Sequence, residues 1–241
     1  MPPYLSGPDA SGPPPPEDYA PPPDTGLHVV FADGDLVVVE KPAGLLAVPG
    51  RGPALADCLA RRLAARYSDI RVVHRLDQAT SGLMIFARGA AMERALSIAF
   101  QTRQVDKIYE AIVLGRVATL SGEIDLPLAP DWPNRPRQRV DPEHGKAAQT
   151  RYAVIDNEDP RGSRLRLEPL TGRTHQLRVH LAALGHPIVG DRLYAPCPAG
   201  TPRLLLHANR LGLAHPRSGA LLSFVSSAPF GMPRRRDGSR P

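Results

Sequence analysis

The stretch VVHRLDQATSGLMIFAR, residues 72–88, places a single carboxylate in a loop that leads into an apolar strand. Asp77 follows a His-Arg doublet and precedes a Thr-Ser-Gly turn, and residues 82–88 have the apolar character of a buried strand. Two interpretations of Asp77 are open at this point. Either it caps a turn and Arg75 neutralises its charge, or it is a reactive group held among hydrogen-bond donors.

The segments around this stretch predict a domain richer in strands than in helices. Apolar runs and alternating patterns predict strands at 27–33, 35–44, 107–117, 149–156, 164–170, 204–216 and 220–227. Helical spacing of apolar residues predicts helices at 54–67, 90–103 and 174–185. Thr174 is the expected N-cap of the last helix and Gly185 its C-terminal stop. We therefore expect one α+β domain from residue 26 to residue 229, without a linker or an internal repeat.

The two ends of the chain differ from this domain in composition. Residues 1–25 contain ten prolines and four acidic residues but no Lys or Arg, which predicts a disordered, partly polyproline tail. Residues 230–241 include the run RRRDGSRP at 234–241 and are expected to form a basic tail.

Positive charge is concentrated after residue 25. The whole chain has a formal net charge of +6, and because residues 1–25 carry four acids and no base, the remainder carries +10. Arg outnumbers Lys 27 to 3, and guanidinium groups bind phosphate in a bidentate geometry. A GC-rich genome would explain that ratio equally well, but it would not explain the net charge. The charge favours a nucleic acid as the partner.

Other classes of protein are disfavoured by the sequence. No apolar run approaches the roughly 18 residues of a membrane-spanning helix, and the N-terminus lacks the pattern of a signal peptide. Cys58 and Cys197 are far apart and lack the spacing of metal ligands. We expect a cytoplasmic protein that does not bind a membrane.

The polar residues near strand ends match neither a metal site nor a hydrolase triad. His175 and His180 are five residues apart, about 140° around a helix, so they do not share a face, and no cluster of Cys or carboxylates completes a ligand set. Ser81 is not on a nucleophile elbow. A glycosidase normally uses two carboxylates, whereas Asp77 has no acidic neighbour in the sequence. A single acid among arginines suits attack on, or electrostatic stabilisation of, an anomeric carbon.

Five segments closely resemble, in order, the motifs of the RluA family of pseudouridine synthases. They are EKPAGLLAVPG (40–50), HRLDQATSG (74–82), KIYEAIV (107–113), EPLTGRTHQLRVHLAALGHPIVGDRLY (168–194) and LLLHA (204–208). The resemblance implies a mixed, mostly antiparallel sheet with flanking helices around a central cleft. Residues 131–152, beginning DWPNRPRQRV, resemble the A-type subgroup, ribosomal large subunit pseudouridine synthase A, which modifies a 23S rRNA loop and a tRNA anticodon stem-loop.

The resemblance also implies roles for the catalytic residues. Asp77 is the expected nucleophile, acting at the ribose C1′ or at the uracil ring. Arg173 is expected to pair with Asp77 and keep it ionised. Tyr109 is expected to stack on the flipped uracil and to move a proton. The reaction is an isomerisation, so we expect no cofactor and no metal.

The remaining candidates would bind RNA. Arg75 would fill the space left by an extruded uridine or bind its phosphate, with a salt bridge to Asp77 as the competing account. Leu206 would pack against the uracil, and His74 would be a substrate-side or structural donor. Trp132 would stack on a base within an exposed basic loop that carries Arg135, Arg137 and Arg139.

We therefore expect a monomeric RNA pseudouridine synthase that acts on structured RNA, a 23S rRNA loop, a tRNA anticodon stem-loop or both. The alternatives are an RNA-binding protein of the same fold that has lost catalysis, an enzyme with another uridine target, and a nucleoside glycosylase that would release free uracil.

Overall fold

The computed structural model describes residues 19–196 and 203–230. Ten strands form one sheet: β1 (His28–Ala32), β2 (Leu36–Lys41), β3 (Ile70–Val72), β4 (Ser81–Arg88), β5 (Asp106–Val113), β6 (Ser121–Asp125), β9 (Gln149–Asp156), β10 (Ser163–Pro169), β11 (Leu206–Ala214) and β12 (Leu221–Val225). Two further strands, β7 (Leu128–Pro130) and β8 (Gln138–Val140), form a separate hairpin. The helices are α1 (Leu59–Ala64), α2 (Gly89–Gln101) and α3 (Gln176–Ala183).

The main sheet follows the order β1-β2-β4-β11-β5-β10-β9-β6, with β3 on β4 and β12 on β11. Neighbouring strands are antiparallel except β4 and β11, which run parallel over two residue pairs. The predicted α+β class and the mixed, mostly antiparallel sheet are therefore confirmed. Every predicted strand is present, whereas the short strands β3, β6, β7 and β8 were not predicted.

Two helix predictions need correction. The first helix is shorter than 54–67, because Pro53–Leu55 form a separate 3-10 turn and α1 begins at Leu59. Thr174 is not the N-cap of α3; His175 occupies that position, in a left-handed conformation with φ 54°. Gly185 is confirmed as the stop, since its φ of 87° is one that glycine adopts at low cost.

The sheet is covered on both faces where β2 and β4 pair. Alternate residues of these strands, including Val38 and Ile85, pack with α2, while the intervening ones, including Val37 and Phe86, pack with α1. Burial on both faces explains why the two strands are continuous apolar runs.

Gly82 brings the loop of Asp77 against the middle of the sheet. Its φ is 116°, and a Cβ atom at this position would lie 2.4–2.8 Å from backbone atoms of Ala208. Only a residue without a side chain lets β4 approach β11 this closely. The residues before β4 are thereby placed beside β5 and β11.

The predicted boundaries of the tails are displaced at both ends. The hydroxyl of Tyr19 donates to Asp57 O at 2.8 Å and accepts from Leu46 N at 3.1 Å, and Arg62 Nη2 donates to Pro22 O at 2.8 Å. Residues 19–25 therefore lie against α1 instead of forming part of a free tail, and Phe230 is buried in the core. The expected tail residues 1–18 and 231–241 lie outside the described residues.

Candidate active site

A cavity of about 590 Å³ opens between the loop before β4, strand β5 and the segment before α3. Six of the residues that the sequence predicted for the site line it: His74, Arg75, Asp77, Tyr109, Arg173 and Leu206. The topology brings them together from four parts of the chain: the loop before β4, strand β5, the segment before α3, and the start of β11.

Arg178, not Arg173, is the cationic partner of Asp77. Arg178 Nη1 donates to Asp77 Oδ2 at 3.3 Å. Arg173 lies in the turn before α3, is exposed, and donates through Nε to Ala147 O at 3.0 Å. The predicted pairing of Asp77 with Arg173 was therefore wrong. Arg173 remains at the cavity, where its guanidinium faces solvent.

Arg178 is held in place by a second carboxylate, that of Asp191. Its Nε and Nη2 donate to the two oxygens of Asp191 at 2.8 Å each, and both side chains are buried. Asp191 also accepts from the backbone N–H groups of Leu193 and Tyr194. A bidentate pair with this many donors fixes the guanidinium plane, so that Nη1 is the group left for Asp77.

Arg75 does not neutralise Asp77. Its side chain is exposed at the cavity, and among the described residues it makes no ion pair or hydrogen bond. The competing account, a structural salt bridge from Arg75 to Asp77, is therefore contradicted. The charge of Arg75 is available to a ligand.

Tyr109 projects from β5 between Leu167 of β10 and Ala208 of β11. Its ring packs against the apolar clusters on either side of the cavity, and no described residue forms a hydrogen bond with its hydroxyl. Burial raises the pKa of Tyr109, and the negative charge of Asp77 raises it further. The phenol is therefore protonated at neutral pH and lies in the field of the carboxylate.

The other two cavity residues have mainly structural partners. His74 Nε2 accepts from Ile85 N at 3.0 Å, and its ring stacks on Phe100 at 4.5 Å. Burial lowers the pKa of His74 to about 3, so the imidazole is neutral. Leu206 is buried in the cluster that contains Leu167 and lines the cavity beside Tyr109.

Residues 35–183 match the model of a protein family described as RNA pseudouridylate synthase. Two similar curated proteins are dual-specificity RNA pseudouridine synthases RluA. The one from Vibrio vulnificus strain CMCP6 is 49% identical over 88% of this chain and 88% of that protein. The one from Escherichia coli strain K12 is 46% identical over 89% of this chain and 99% of that protein. The chain belongs to the RNA pseudouridine synthase family.

Solved structures of the family agree with the observed fold. Human RNA Pseudouridylate Synthase Domain Containing 1 is similar with a TM-score of 0.71 and 30% identity, covering 88% of this chain and 87% of that one. Human RNA Pseudouridylate Synthase Domain Containing 4 has a TM-score of 0.66 and 25% identity, covering 84% and 89%. The pseudouridine synthase fold expected from the motifs is thus confirmed.

Lys41 secures the loop that carries Asp77, and the sequence analysis did not predict a role for it. Its ammonium is buried and donates to three carbonyl oxygens: Pro42 at 2.9 Å, Leu45 at 2.6 Å and Gln78 at 2.9 Å. Burial lowers the pKa of Lys41 to about 7, an effect that the charge of Asp77 opposes. The bond to Gln78 ties the residue after Asp77 to the segment that follows β2.

Lys41→Met should destabilise the protein by about 3 kcal/mol, because three buried carbonyls lose their donor while the stem volume is retained. Urea denaturation measures this loss, and the single-turnover rate should fall as the Asp77 loop loosens. Lys146→Met, at an exposed side chain, is the matched control and should change neither quantity. A loss below about 1 kcal/mol for Lys41→Met would refute the role of this ammonium.

The predicted RNA-facing residues lie on the β7–β8 hairpin, away from the cavity wall. Trp132, Arg135, Arg137 and Arg139 are all exposed, as expected. The Arg135 guanidinium lies 3.9 Å from the centroid of the Trp132 ring, and Arg139 pairs with Asp141 at 2.8 Å. An exposed aromatic ring with a guanidinium group over its face is a surface feature of the kind that binds bases.

Two histidines of the 168–194 motif, His175 and His180, are both engaged by protein groups. His180 is buried, and its two ring nitrogens contact Thr150 Oγ1 and Leu126 O at 2.9 Å each. His175 Nδ1 lies 2.8 Å from the hydroxyl of Tyr194, and its Nε2 lies 3.9 Å from Asp77 Oδ2. The sequence analysis considered these two histidines as a metal pair, which it rejected, and it did not place His175 beside Asp77.

Proposed function

We propose that this chain converts specific uridines to pseudouridine in structured RNA, at a 23S rRNA loop, a tRNA anticodon stem-loop or both. The observation that supports it best is the cavity in which the Asp77 carboxylate, held by Arg178, faces the apolar wall of Tyr109 and Leu206. Two kinds of RNA substrate are supported by the similar proteins of Vibrio vulnificus and Escherichia coli, which are named dual-specificity RNA pseudouridine synthases. The choice of 23S rRNA and tRNA follows from the resemblance of residues 131–152 to the A-type subgroup.

The reaction breaks the bond between uracil N1 and ribose C1′ and forms one between uracil C5 and C1′. A proton leaves C5 and a proton is gained at N1, so the product is an isomer and no co-reactant is consumed. Asp77 supplies the negative charge, either by bonding to C1′ or by acting at the ring. Arg178 keeps this carboxylate ionised and oriented before reaction.

Tyr109 can serve as both donor and acceptor of the proton. If Asp77 bonds to C1′, its charge is neutralised, and part of the cause that raises the Tyr109 pKa disappears. The phenol then gives its proton to N1 of the detached uracil more readily. The resulting phenolate accepts the proton from C5 after the new C–C bond forms, and the Asp77 carboxylate is released.

Arg75 and the hairpin would hold the RNA around this chemistry. Extruding a base costs a few kcal/mol, and an exposed, unpaired guanidinium beside the acid can fill the vacated stack or bind a phosphate. Trp132 and its arginine neighbours would contact the flanking nucleotides. The proposed catalytic unit is residues 26–229, extended by residues 19–25 and Phe230, which pack against it.

We also propose that the protein acts as a monomer in the cytoplasm, where rRNA and tRNA occur. Within the described residues, no helix has the length and apolar character needed to cross a membrane.

The proposed function is tested by incubating the purified chain with transcripts of tRNA and of 23S rRNA, and mapping pseudouridine at each uridine. Pseudouridine at one or a few positions, without release of free uracil, is the expected result, and loss of the same sites in a deletion strain should accompany it. Binding without any pseudouridine would indicate an RNA-binding protein that has lost catalysis. Release of uracil would indicate a glycosylase.

Arg75→Ala should slow the single-turnover reaction more on stem-loops than on short unstructured RNA. Extruding a uridine from a stem-loop breaks base stacking, which the Arg75 side chain would replace, whereas an unstructured RNA has little stacking to lose. Both rates are measured at two salt concentrations on RNAs of matched sequence. A role restricted to phosphate binding would instead weaken affinity for both RNAs and reduce the salt slope by about one. Equal loss of rate on both RNAs with unchanged affinity would contradict the extrusion role.

A further inference from the structure

We propose that Tyr194 is a positioning residue that fixes which nitrogen of His175 carries the proton and so directs an N–H group at Asp77. Only the kinetic consequence of this inference rests on the proposed function. The position of the proton is a property of the protein itself.

The backbone of Tyr194 is fixed by the same carboxylate that holds Arg178. Its N–H donates to Asp191 Oδ1 at 3.2 Å. Its ring meets that of His175 edge-on, with centroids 5.7 Å apart, and the Arg178 guanidinium lies 5.2 Å from the ring centroid. Tyr194 therefore contacts both groups that face Asp77.

The hydrogen bonds of the Tyr194 hydroxyl have a fixed direction. The backbone N–H of Gln138 donates to the phenol oxygen at 2.7 Å, and a backbone N–H can only donate. The hydroxyl proton then has one acceptor among the described residues, His175 Nδ1 at 2.8 Å. Burial lowers the pKa of His175, which favours the neutral ring with a single proton.

A neutral imidazole whose Nδ1 accepts must carry its proton on Nε2. That nitrogen lies 3.9 Å from Asp77 Oδ2, the same oxygen that Arg178 contacts. In the opposite tautomer Nδ1–H would donate to the phenol oxygen, which would leave the hydroxyl proton without an acceptor among the described residues and turn the lone pair of Nε2 towards the carboxylate. The hydrogen bonds thus select the tautomer that stabilises the charge of Asp77.

The backbone conformation of His175 supports the inference that its ring is held for the contact with Tyr194. A non-glycine residue with φ 54° occupies the left-handed region, which is uncommon and is tolerated where surrounding contacts hold it. His175 stands at the N-cap of α3, yet its side chain makes no capping hydrogen bond and is directed to Tyr194. The donor Gln138 begins β8, so the chain of contacts starts at the hairpin that carries Trp132.

The test replaces Tyr194 by Phe, which keeps the ring but removes the hydroxyl. Long-range ¹H–¹⁵N correlation spectra of protein labelled in its histidine side chains distinguish the two tautomers, and the His175 signals are assigned by their loss in His175→Gln. We expect Nε2–H in the wild type and a mixture or the other tautomer in Tyr194→Phe. Tyr67→Phe, at a tyrosine whose ring lies beside the guanidinium groups of Arg66 and Arg88 and outside the cavity wall, should leave the His175 signals unchanged.

The kinetic arm uses single-turnover rates at saturating RNA. Tyr194→Phe should lower the rate about tenfold with little change in affinity, the effect of one oriented hydrogen bond. An Nδ1–H tautomer in the wild type, an unchanged tautomer in Tyr194→Phe, or a rate within about twofold of wild type would overturn the proposal. Absence of pseudouridine from the wild-type protein would instead be a failure of the proposed function, and the spectra would still decide the tautomer.

If Tyr194→Phe does not fold, a second pair of variants tests whether an N–H group at the position of His175 Nε2 faces Asp77. The amide of His175→Gln reaches the position of Nε2, whereas the amide of His175→Asn reaches only that of Nδ1. The Gln variant should therefore retain more of the single-turnover rate than the Asn variant. Equal loss in both, or greater loss in the Gln variant, would overturn the proposal.

Discussion

Asp77→Asn should slow single-turnover formation of pseudouridine at least about 1,000-fold, since removal of a nucleophile in other enzymes costs about as much or more. The substitution keeps the shape of the side chain and removes its charge, and the amide oxygen can still accept from Arg178 Nη1. Folding and most of the RNA affinity should therefore persist. The rate is measured with enzyme in excess over a defined stem-loop, and affinity by titration of the same RNA.

Asp69→Asn is the matched control for this experiment. Asp69 also pairs with an arginine, Arg88 at 3.2 Å, and it lies just before β3, outside the cavity wall. The single-turnover rate of Asp69→Asn should remain near that of the wild type. If Asp77→Asn turned over within tenfold of the wild type, the acid would have no part in the chemistry, and the second carboxylate, Asp191, would become the candidate.

The part of the fold that could be predicted is the part with strong local patterns. The apolar runs that became β2 and β4 are buried on both faces of the sheet, so their character is visible in any short window. The strands β3, β7 and β8 have three residues each, too few for a period to be recognised. The parallel junction of β4 with β11 depends on a single glycine, Gly82, whose role appears only when Ala208 is beside it.

The N-terminal boundary was misplaced for a related reason. Proline-rich, acidic composition indicates disorder on average, but Tyr19 carries a hydroxyl that bonds at 2.8 Å to a carbonyl 38 residues away. A contact between one aromatic side chain and a residue far along the chain leaves no periodic pattern in the sequence. Composition could therefore describe the segment as a whole without locating the point where contact with the domain begins.

The sequence could not decide which of two arginines pairs with Asp77. Arg173 and Arg178 belong to one motif, and nothing in their spacing says which is buried. A usable signal was the setting of Arg178 between Leu177, Val179 and Leu181, because a charged residue inside an apolar helix must be paired. Its partner Asp191 is 13 residues later, beyond the helix, and could not be assigned without the fold.

Arg178→Gln should therefore have large effects and Arg173→Gln small ones, although both remove one charge from the cavity wall. Arg178→Gln leaves Asp191 buried without its cation, which should cost about 3 kcal/mol or more in stability. It also removes the charge beside Asp77, which should slow the chemical step about 100-fold. Arg173→Gln removes an exposed guanidinium, so stability and the rate at saturating RNA should change little.

The loss of stability and the loss of rate in Arg178→Gln can be separated by adding Asp191→Asn. The double variant removes the unpaired buried charge and should recover stability, yet its rate should stay low because Asp77 still lacks its partner. For Arg173→Gln the expected change is in RNA affinity, with a salt slope smaller by about one phosphate contact. A reversed result, in which Arg173→Gln abolished the chemical step and Arg178→Gln did not, would restore Arg173 as the partner of Asp77. The bidentate hold of Asp191 on Arg178 argues against that reversal, because a guanidinium fixed by two 2.8 Å bonds can turn only Nη1 towards the acid.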